Sequence, residues 1–147
     1  MKKIISLLIA VIMCFSVIAV SANEMDDVQV IAYDYGIIFE QKPVLVNDRT
    51  FVEFKSMAEF FLKDGAIEEE ATYDTETGKV VIGTMEFTIG SSEVKVGEEI
   101  KSIDAEVFEK ENTVFVPLRF ISETLGYTVE WRGFEPFGDG GFAMLSK

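Results

Sequence analysis

The chain has 147 residues, enough for one domain or for two small lobes that share a core. It contains no histidine, which excludes the commonest metal ligand and general base and the catalytic triads that depend on it. With 26 acidic and 13 basic residues the formal net charge is −13, so nucleic acid and anionic membranes are unsuitable partners.

Residues 1–22 have the pattern of a secretory signal peptide. Two lysines precede a long apolar run, and "VSA", which ends at Ala22, supplies the small residues of a cleavage site. A transmembrane anchor is the alternative, but the acidic "NEMDD" follows the run where a stop-transfer segment would be positive. Cleavage would remove Cys14, the single cysteine, and leave no disulfide. We therefore predict a secreted or extracellular protein, retained at the cell surface or free, with no stable membrane anchor after cleavage.

The first half of the remaining chain predicts strands followed by a short helix. Apolar runs separated by the turns "DYG" and "NDR" predict strands at 28–33, 36–40 and 43–46. "TFVEF" then leads into a helical stretch in which Phe54, Met57 and Phe61 form one apolar face. Gly65 follows and suits a left-handed C-terminal cap.

The second half predicts a similar order of elements. A second helical stretch begins at Pro117, which suits the first helical turn, and ends before Gly126. Leu118, Ile121 and Leu125 form its apolar face. The predicted strands on either side of this stretch are 67–74, 79–83, 85–89, 93–96, 99–103, 113–116, 127–131 and 141–146.

A shift of 64 residues relates the two helical stretches and their preceding strands. It places Phe51 on Phe115 and Val52 on Val116. We therefore predict an α+β fold of mainly antiparallel strands with two short helices, built from an internal duplication. The domain is predicted to span residues 23–147, with two repeats at about 28–90 and 91–147 that share one core.

The two copies also resemble a known family. "NDRTFVEFKSMAEFF" and "NTVFVPLRFISETLGYTVEW" are similar to the repeated pattern of the copper amine oxidase N-terminal-like, or stalk, domain of secreted bacterial proteins, and "FTIGSSEVKVGEEIKSIDAEV" resembles its joining segment. The first copy departs from this pattern, with Glu53 in place of proline and Lys55 in place of arginine. The resemblance implies a small non-catalytic module and no cofactor, because this chain has no histidine to hold copper.

Three side chains are candidate ligand or partner contacts. Arg119 in "VPLRF" suits either a ligand-facing cation or, as we favour, a guanidinium paired with a carboxylate or with helix-end carbonyls of the neighbouring repeat. Phe134 and Phe137 lie in the glycine-rich "GFEPFGDGG", where large apolar groups often mark contacts. Trp131 alternates with Tyr127 and Val129, which predicts a core position; an exposed tryptophan would instead form a platform for a sugar ring.

Acidic runs are the remaining source of chemistry. Those at 68–70 and 74–78 lack the ordered spacing of a calcium loop, so we predict no metal site. A carboxylate-pair glycoside hydrolase is the least favoured function, since no pair of acids is singled out. We predict a non-enzymatic binding or scaffold module of the cell envelope, whose partner is cell-wall glycan or an envelope protein. The alternative is a structural stalk unit that forms homo-oligomers.

Overall fold

The structure is a computed structural model, and it describes residues 27–135 and 140–147. The predicted signal peptide at 1–22 lies outside the described residues. Mostly antiparallel strands and two helices form an α+β fold. The elements are β1 (Val28–Ala32), β2 (Tyr35–Gly36), β3 (Val44–Val46), β4 (Arg49–Glu53), α1 (Phe54–Lys63), β5 (Thr72–Asp74), β6 (Lys79–Ile82), β7 (Met85–Thr88), β8 (Glu93–Val96), β9 (Glu99–Ser102), β10 (Phe108–Lys110), β11 (Thr113–Pro117), α2 (Leu118–Thr124), β12 (Thr128–Gly133) and β13 (Gly141–Ser146).

Two predicted strands are shorter than the apolar pattern suggested. The prediction of a strand at 36–40 is wrong beyond Gly36. The N–H of Ile37 still donates to the Val30 carbonyl of β1, but the N–H of Glu40 donates to the Glu53 carboxylate. The strand predicted at 67–74 begins only at Thr72. The sequence analysis missed β10, which is short and mostly exposed.

The strands form three sheets. Their orders are β12-β13-β1-β2, β10-β11-β4-β3 and β5-β6-β7-β8-β9. All pairings are antiparallel among the described strands except that of β1 with β13. In the first sheet the beginning of the described chain therefore lies beside its end.

The backbone follows the 64-residue shift closely. In the β3–β4 hairpin Asn47 and Asp48 have φ values of 50° and 61°, and in the β10–β11 hairpin Glu111 and Asn112 have values of 52° and 61°. Two consecutive residues with positive φ are the signature of a type I′ turn. The shift thus relates two hairpins with the same turn geometry.

The central sheet brings the two related strands together. In the pairing of β11 with β4, Val116 is the register partner of Val52, the residue that the shift places on it. Phe51 pairs with Pro117 and Phe115 with Glu53. This register is the one that an approximate twofold axis through the two valines requires. We call residues 28–90 the first unit and residues 91–147 the second unit.

Both helices use the predicted apolar faces. Phe54, Met57 and Phe61 of α1 are buried, as are Leu118 and Ile121 of α2. Burial of side chains of this size stabilises each helix on the sheets by roughly 1.5–3 kcal/mol per residue.

The predicted glycine caps are also confirmed. Gly65 and Gly126 have φ values of 70° and 89°, a region that other residues adopt at a cost. Pro117 differs slightly from its predicted place. It is the N-cap residue of α2, so the helix begins one position later, at Leu118.

The two units share one core. The rings of Phe60 and Phe61 in α1 lie 5.9 and 5.5 Å from the ring of Tyr127 in the second unit. Phe120 in α2 packs edge-on against Phe87 of the first unit, with centroids 6.0 Å apart. Each helix therefore contacts an aromatic side chain of the other unit, and a single apolar cluster extends through both. Among the described residues no helix has the length and apolar character needed to cross a membrane.

Candidate functional site

A groove of 870 Å³ lies beside α2. We call it the Trp131 groove. Buried apolar side chains form its floor, and exposed side chains, many of them charged, form its rim. The second unit supplies most of it, and the β3–β4 hairpin of the first unit supplies one side. Its lining residues are Leu45, Asp48, Arg49, Thr50, Ser102, Ile103, Asp104, Ala105, Pro117, Leu118, Arg119, Phe120, Glu123, Val129, Trp131, Glu135 and Ala143.

The prediction that Trp131 is a core residue is wrong. Tyr127 and Val129 are 3% and 7% exposed, but Trp131 is 40% exposed. The alternation places it on the core face of β12, opposite the buried Ala143. However, the core cluster includes Val129 and not Trp131, so this end of the face lies at the groove.

A pair of glycines supports the indole of Trp131. Gly133 and Gly141 are register partners in the β12–β13 pair. A Cβ on Gly141 would come 2.6 Å from Cζ2 of Trp131, closer than any real carbon contact, and one on Gly133 would lie 3.6 Å from its Nε1. At Gly141 the ring therefore lies against backbone that only glycine leaves free, whereas a Cβ on Gly133 would make an ordinary van der Waals contact with it.

Arg119 lies at the groove, and its guanidinium donates hydrogen bonds to two groups of the second unit. Its Nη1 donates to Oε1 of Glu123 at 3.1 Å and to the backbone carbonyl of Val129 at 3.0 Å. Arg119 is thus paired with a carboxylate, but its carbonyl partner belongs to β12 and not to a helix end, and both partners lie in its own unit and not in the neighbouring one. Because β12 has a neighbour on one side only, the guanidinium also covers a carbonyl of a sheet edge.

Of the two candidate phenylalanines, the structure describes Phe134 and not Phe137. Phe134 is half-buried and packs edge-on against Phe142, with ring centroids 4.9 Å apart. Its backbone N–H donates to the carbonyl of Gly140 at 2.9 Å. Phe134 thus contributes to the outer face of the β12–β13 pair and does not line the Trp131 groove. Phe137 lies outside the described residues.

A smaller groove of 460 Å³ lies beside α1. Ile38, Ser56 and Glu59 line it, and the 64-residue shift places them on Ser102, Phe120 and Glu123 of the Trp131 groove. The shifted counterparts of Asp104, Ala105 and Pro117 do not line it; they are Glu40, Gln41 and Glu53. The smaller groove is therefore a partial counterpart of the larger one.

Glu53 and the 40–41 backbone, which do not line the smaller groove, are bonded to each other. Its side chain is buried, and Oε2 accepts hydrogen bonds from the backbone N–H groups of Glu40 at 2.9 Å and Gln41 at 3.2 Å, and from the Ser56 hydroxyl at 3.0 Å. Three donors satisfy a charge that would be costly to bury alone. The carboxylate ties the 40–41 backbone to the start of α1, whereas Pro117 has no side-chain acceptor for the corresponding segment.

Asp64 is the centre of a cluster that joins the units. Its Oδ2 accepts hydrogen bonds from the hydroxyl groups of Tyr127 and Tyr33 and from Nζ of Lys147. The Tyr127 hydrogen bond is the main cause that lowers the pKa of Asp64, with help from Lys147 and Tyr33. Burial, together with the neighbouring carboxylate, raises the pKa of Tyr127. The ammonium of Lys147 also lies 4.6 Å from the centre of the Tyr127 ring.

The sequence analysis missed several residues of these sites. No sequence pattern distinguished Asp48, Asp104 and Glu135 as groove residues, because isolated acids are common in an acidic chain. Glu53 did give one, as a departure from the proline of the second copy. Within residues 27–135 and 140–147, no group of three or more acidic side chains is placed to hold a metal ion.

Comparison with protein families gives one match. The model of the copper amine oxidase N-terminal domain matches residues 30–136, which runs from β1 to just beyond β12 and leaves β13 outside. Comparison with curated proteins and with solved structures gives no match.

Proposed function

Since the chain belongs to the copper amine oxidase N-terminal domain family, whose domain is a non-catalytic accessory domain of those oxidases, we propose that this protein is a non-catalytic binding module of the cell envelope. It is exported by the segment 1–22, and it binds wall glycan in the Trp131 groove.

The exposed indole in a long groove is the observation that carries this proposal. Sugar rings have apolar C–H faces that stack on aromatic side chains, and polar groups around the ring then fix the orientation of the ligand. The Trp131 groove provides both, because its rim has carboxylates, guanidinium groups and hydroxyls beside the indole. A ring already supported by Gly133 and Gly141 loses little conformational freedom on binding.

The ion pairs of the rim limit which of its acids could take part in catalysis. A glycoside hydrolase needs two carboxyl groups across the scissile bond, one of them free to deliver a proton. Asp104 forms an ion pair with Arg49, and Glu123 forms one with Arg119. Two of the four acids at the groove are therefore occupied by arginines, and nothing in the sequence or the groove assigns the other two, Asp48 and Glu135, to proton transfer.

We also attribute the two units to an internal duplication. The twofold register of Val52 with Val116 and the matching φ values of the two hairpins support it.

Binding of residues 23–147 to purified cell walls tests the function. Trp131→Ala should lower the fraction bound severalfold. It should also lower the free energy of unfolding by about 1–2 kcal/mol, because the side chain is 40% exposed and its ring covers the Gly141 backbone. Trp131→Phe keeps an aromatic ring and is the matched control. Undiminished wall binding by a folded Trp131→Ala variant would contradict the proposal.

A self-associating stalk unit is the second candidate, and the first unit carries the observation that favours it. Tyr35 and Ile38 are 79% and 90% exposed beside the edge of the first sheet. The 64-residue shift places them on Glu99 and Ser102, so the fold itself does not require apolar groups there. Sedimentation of the same proteins over a range of concentrations decides between the two, since a stalk unit would associate and ignore cell walls.

A further inference from the structure

The charged groups at the rim of the Trp131 groove divide into paired and unpaired sets. Both arginines are engaged, Arg49 by Asp104 and Arg119 by Glu123 and the Val129 carbonyl. Their positive charge is therefore largely neutralised within the rim. A ligand with anionic groups, such as a polyphosphate, would find no free cation among these two.

Two carboxylates remain. Asp48 at the β3–β4 turn and Glu135 after β12 both line the groove and are exposed. Neither forms a hydrogen bond or ion pair with another residue in the described part of the chain. With four carboxylates and two guanidinium groups at the rim, the groove has a net charge of −2, in a chain whose own net charge is −13. Such a groove attracts cations.

A peptide is a less suitable cationic ligand than a sugar. Peptides commonly bind by adding a strand to a sheet edge, and β12 is such an edge beside the groove. Arg119 already occupies the Val129 carbonyl of that edge, at 3.0 Å. The exposed indole of Trp131 remains available to a sugar, because stacking on a sugar ring does not require hydrogen bonds from the backbone of β12.

We propose that the Trp131 groove selects a glycan with free amino groups, such as an N-deacetylated hexosamine polymer. The indole of Trp131 takes the apolar face of a sugar ring, and Asp48 and Glu135 accept hydrogen bonds from its ammonium groups. An N-acetylated sugar would stack equally well and would lack the charge. This inference rests on the proposed glycan-binding function and adds the chemistry of selection.

The test compares glucosamine and N-acetylglucosamine oligomers of equal length, below the pKa of the sugar amine. Trp131 is the single tryptophan of the chain, so its fluorescence reports occupancy of the groove directly. Two exposed ion pairs predict roughly three- to tenfold tighter binding of the amino form, and the preference should shrink at high salt. Asp48→Asn with Glu135→Gln should abolish the preference and leave the weaker, stacking-dependent binding.

The matched control is Asp34→Asn with Glu69→Gln, which removes two exposed acids that do not line the groove. It should keep the preference. Equal binding of both oligomers, or a preference that survives Asp48→Asn with Glu135→Gln, would overturn the inference. If purified walls bind through Trp131 and neither oligomer does, the inference fails and the proposed function stands. If the walls do not bind, both fail.

Discussion

The two units have the same hairpin, strand and helix, but they end with grooves of different size. In the first unit Glu53 binds the backbone of Glu40 and Gln41, and 460 Å³ of groove remains. In the second unit Pro117 stands at the corresponding position, and the groove reaches 870 Å³ with Trp131 at its rim. The Glu53 carboxylate thus binds a backbone segment whose counterparts in the second unit, Asp104 and Ala105, line the larger groove.

A second difference concerns the ends of the helices. Asp64 precedes Gly65 in the first unit and joins both units through Tyr127 and Lys147. Leu125 precedes Gly126 in the second unit and packs against the core instead. Only the end of α1 therefore forms a polar cluster with the other unit. The end of α2 forms no such cluster in the described part of the chain, so the two helix ends are not equivalent.

The largest expected effect comes from separating the units. A fragment of residues 24–90 should be unfolded or aggregated, because α1 would lose Tyr127 and β4 would lose its pairing with β11. Circular dichroism and size-exclusion chromatography of the fragment measure this. A soluble half that unfolds cooperatively would show that each unit has a sufficient core of its own.

Removal of the Glu53 carboxylate should have the next largest effect. Glu53→Ala leaves three donors without their acceptor and should lower the free energy of unfolding by about 1–3 kcal/mol. Glu53→Gln retains an acceptor oxygen and should recover part of the loss. Chemical denaturation measures both. Pro117→Ala is the control in the second unit, where we expect a change below about 1 kcal/mol; equal effects at the two positions would erase the distinction between the units.

The smallest expected effect is a dependence on pH. The pKa of Asp64 in the folded protein lies below its ordinary value of 3.8, chiefly through the Tyr127 hydrogen bond. The unfolded chain therefore takes up the proton first as the pH falls. The stabilisation is fully present above the ordinary value and is lost as the pH falls through the lowered pKa.

Asp64→Asn should flatten the acid side of the stability profile, which unfolding measured at several pH values would show. Asp34→Asn, at an exposed carboxylate with no hydrogen bond or ion pair in the described part of the chain, should leave the profile unchanged. If both variants keep the wild-type slope, the Asp64 cluster does not couple the units in the way described.

Local patterns were sufficient for the helices and for the relation between the units. The spacing of Phe54, Met57 and Phe61 predicted the buried face of α1, and Gly65 and Gly126 predicted the two caps. These predictions succeeded because helix periodicity and positive φ depend on residues within one or two turns. The strand predicted at 36–40 ends at Gly36, and the N–H of Glu40 at its far end donates to the Glu53 side chain, 13 residues away.

The sequence by itself determined the α+β class, the two helices and their apolar faces, and the 64-residue relation. It also determined on which face of β12 Trp131 lies. Only the tertiary structure decided whether that face is covered at Trp131, because burial depends on where the opposing layer ends. It likewise decided that Glu53 bonds to the 40–41 backbone and that Asp48 and Glu135 line the same groove, since the folding of the chain, and not their neighbours in sequence, places these residues.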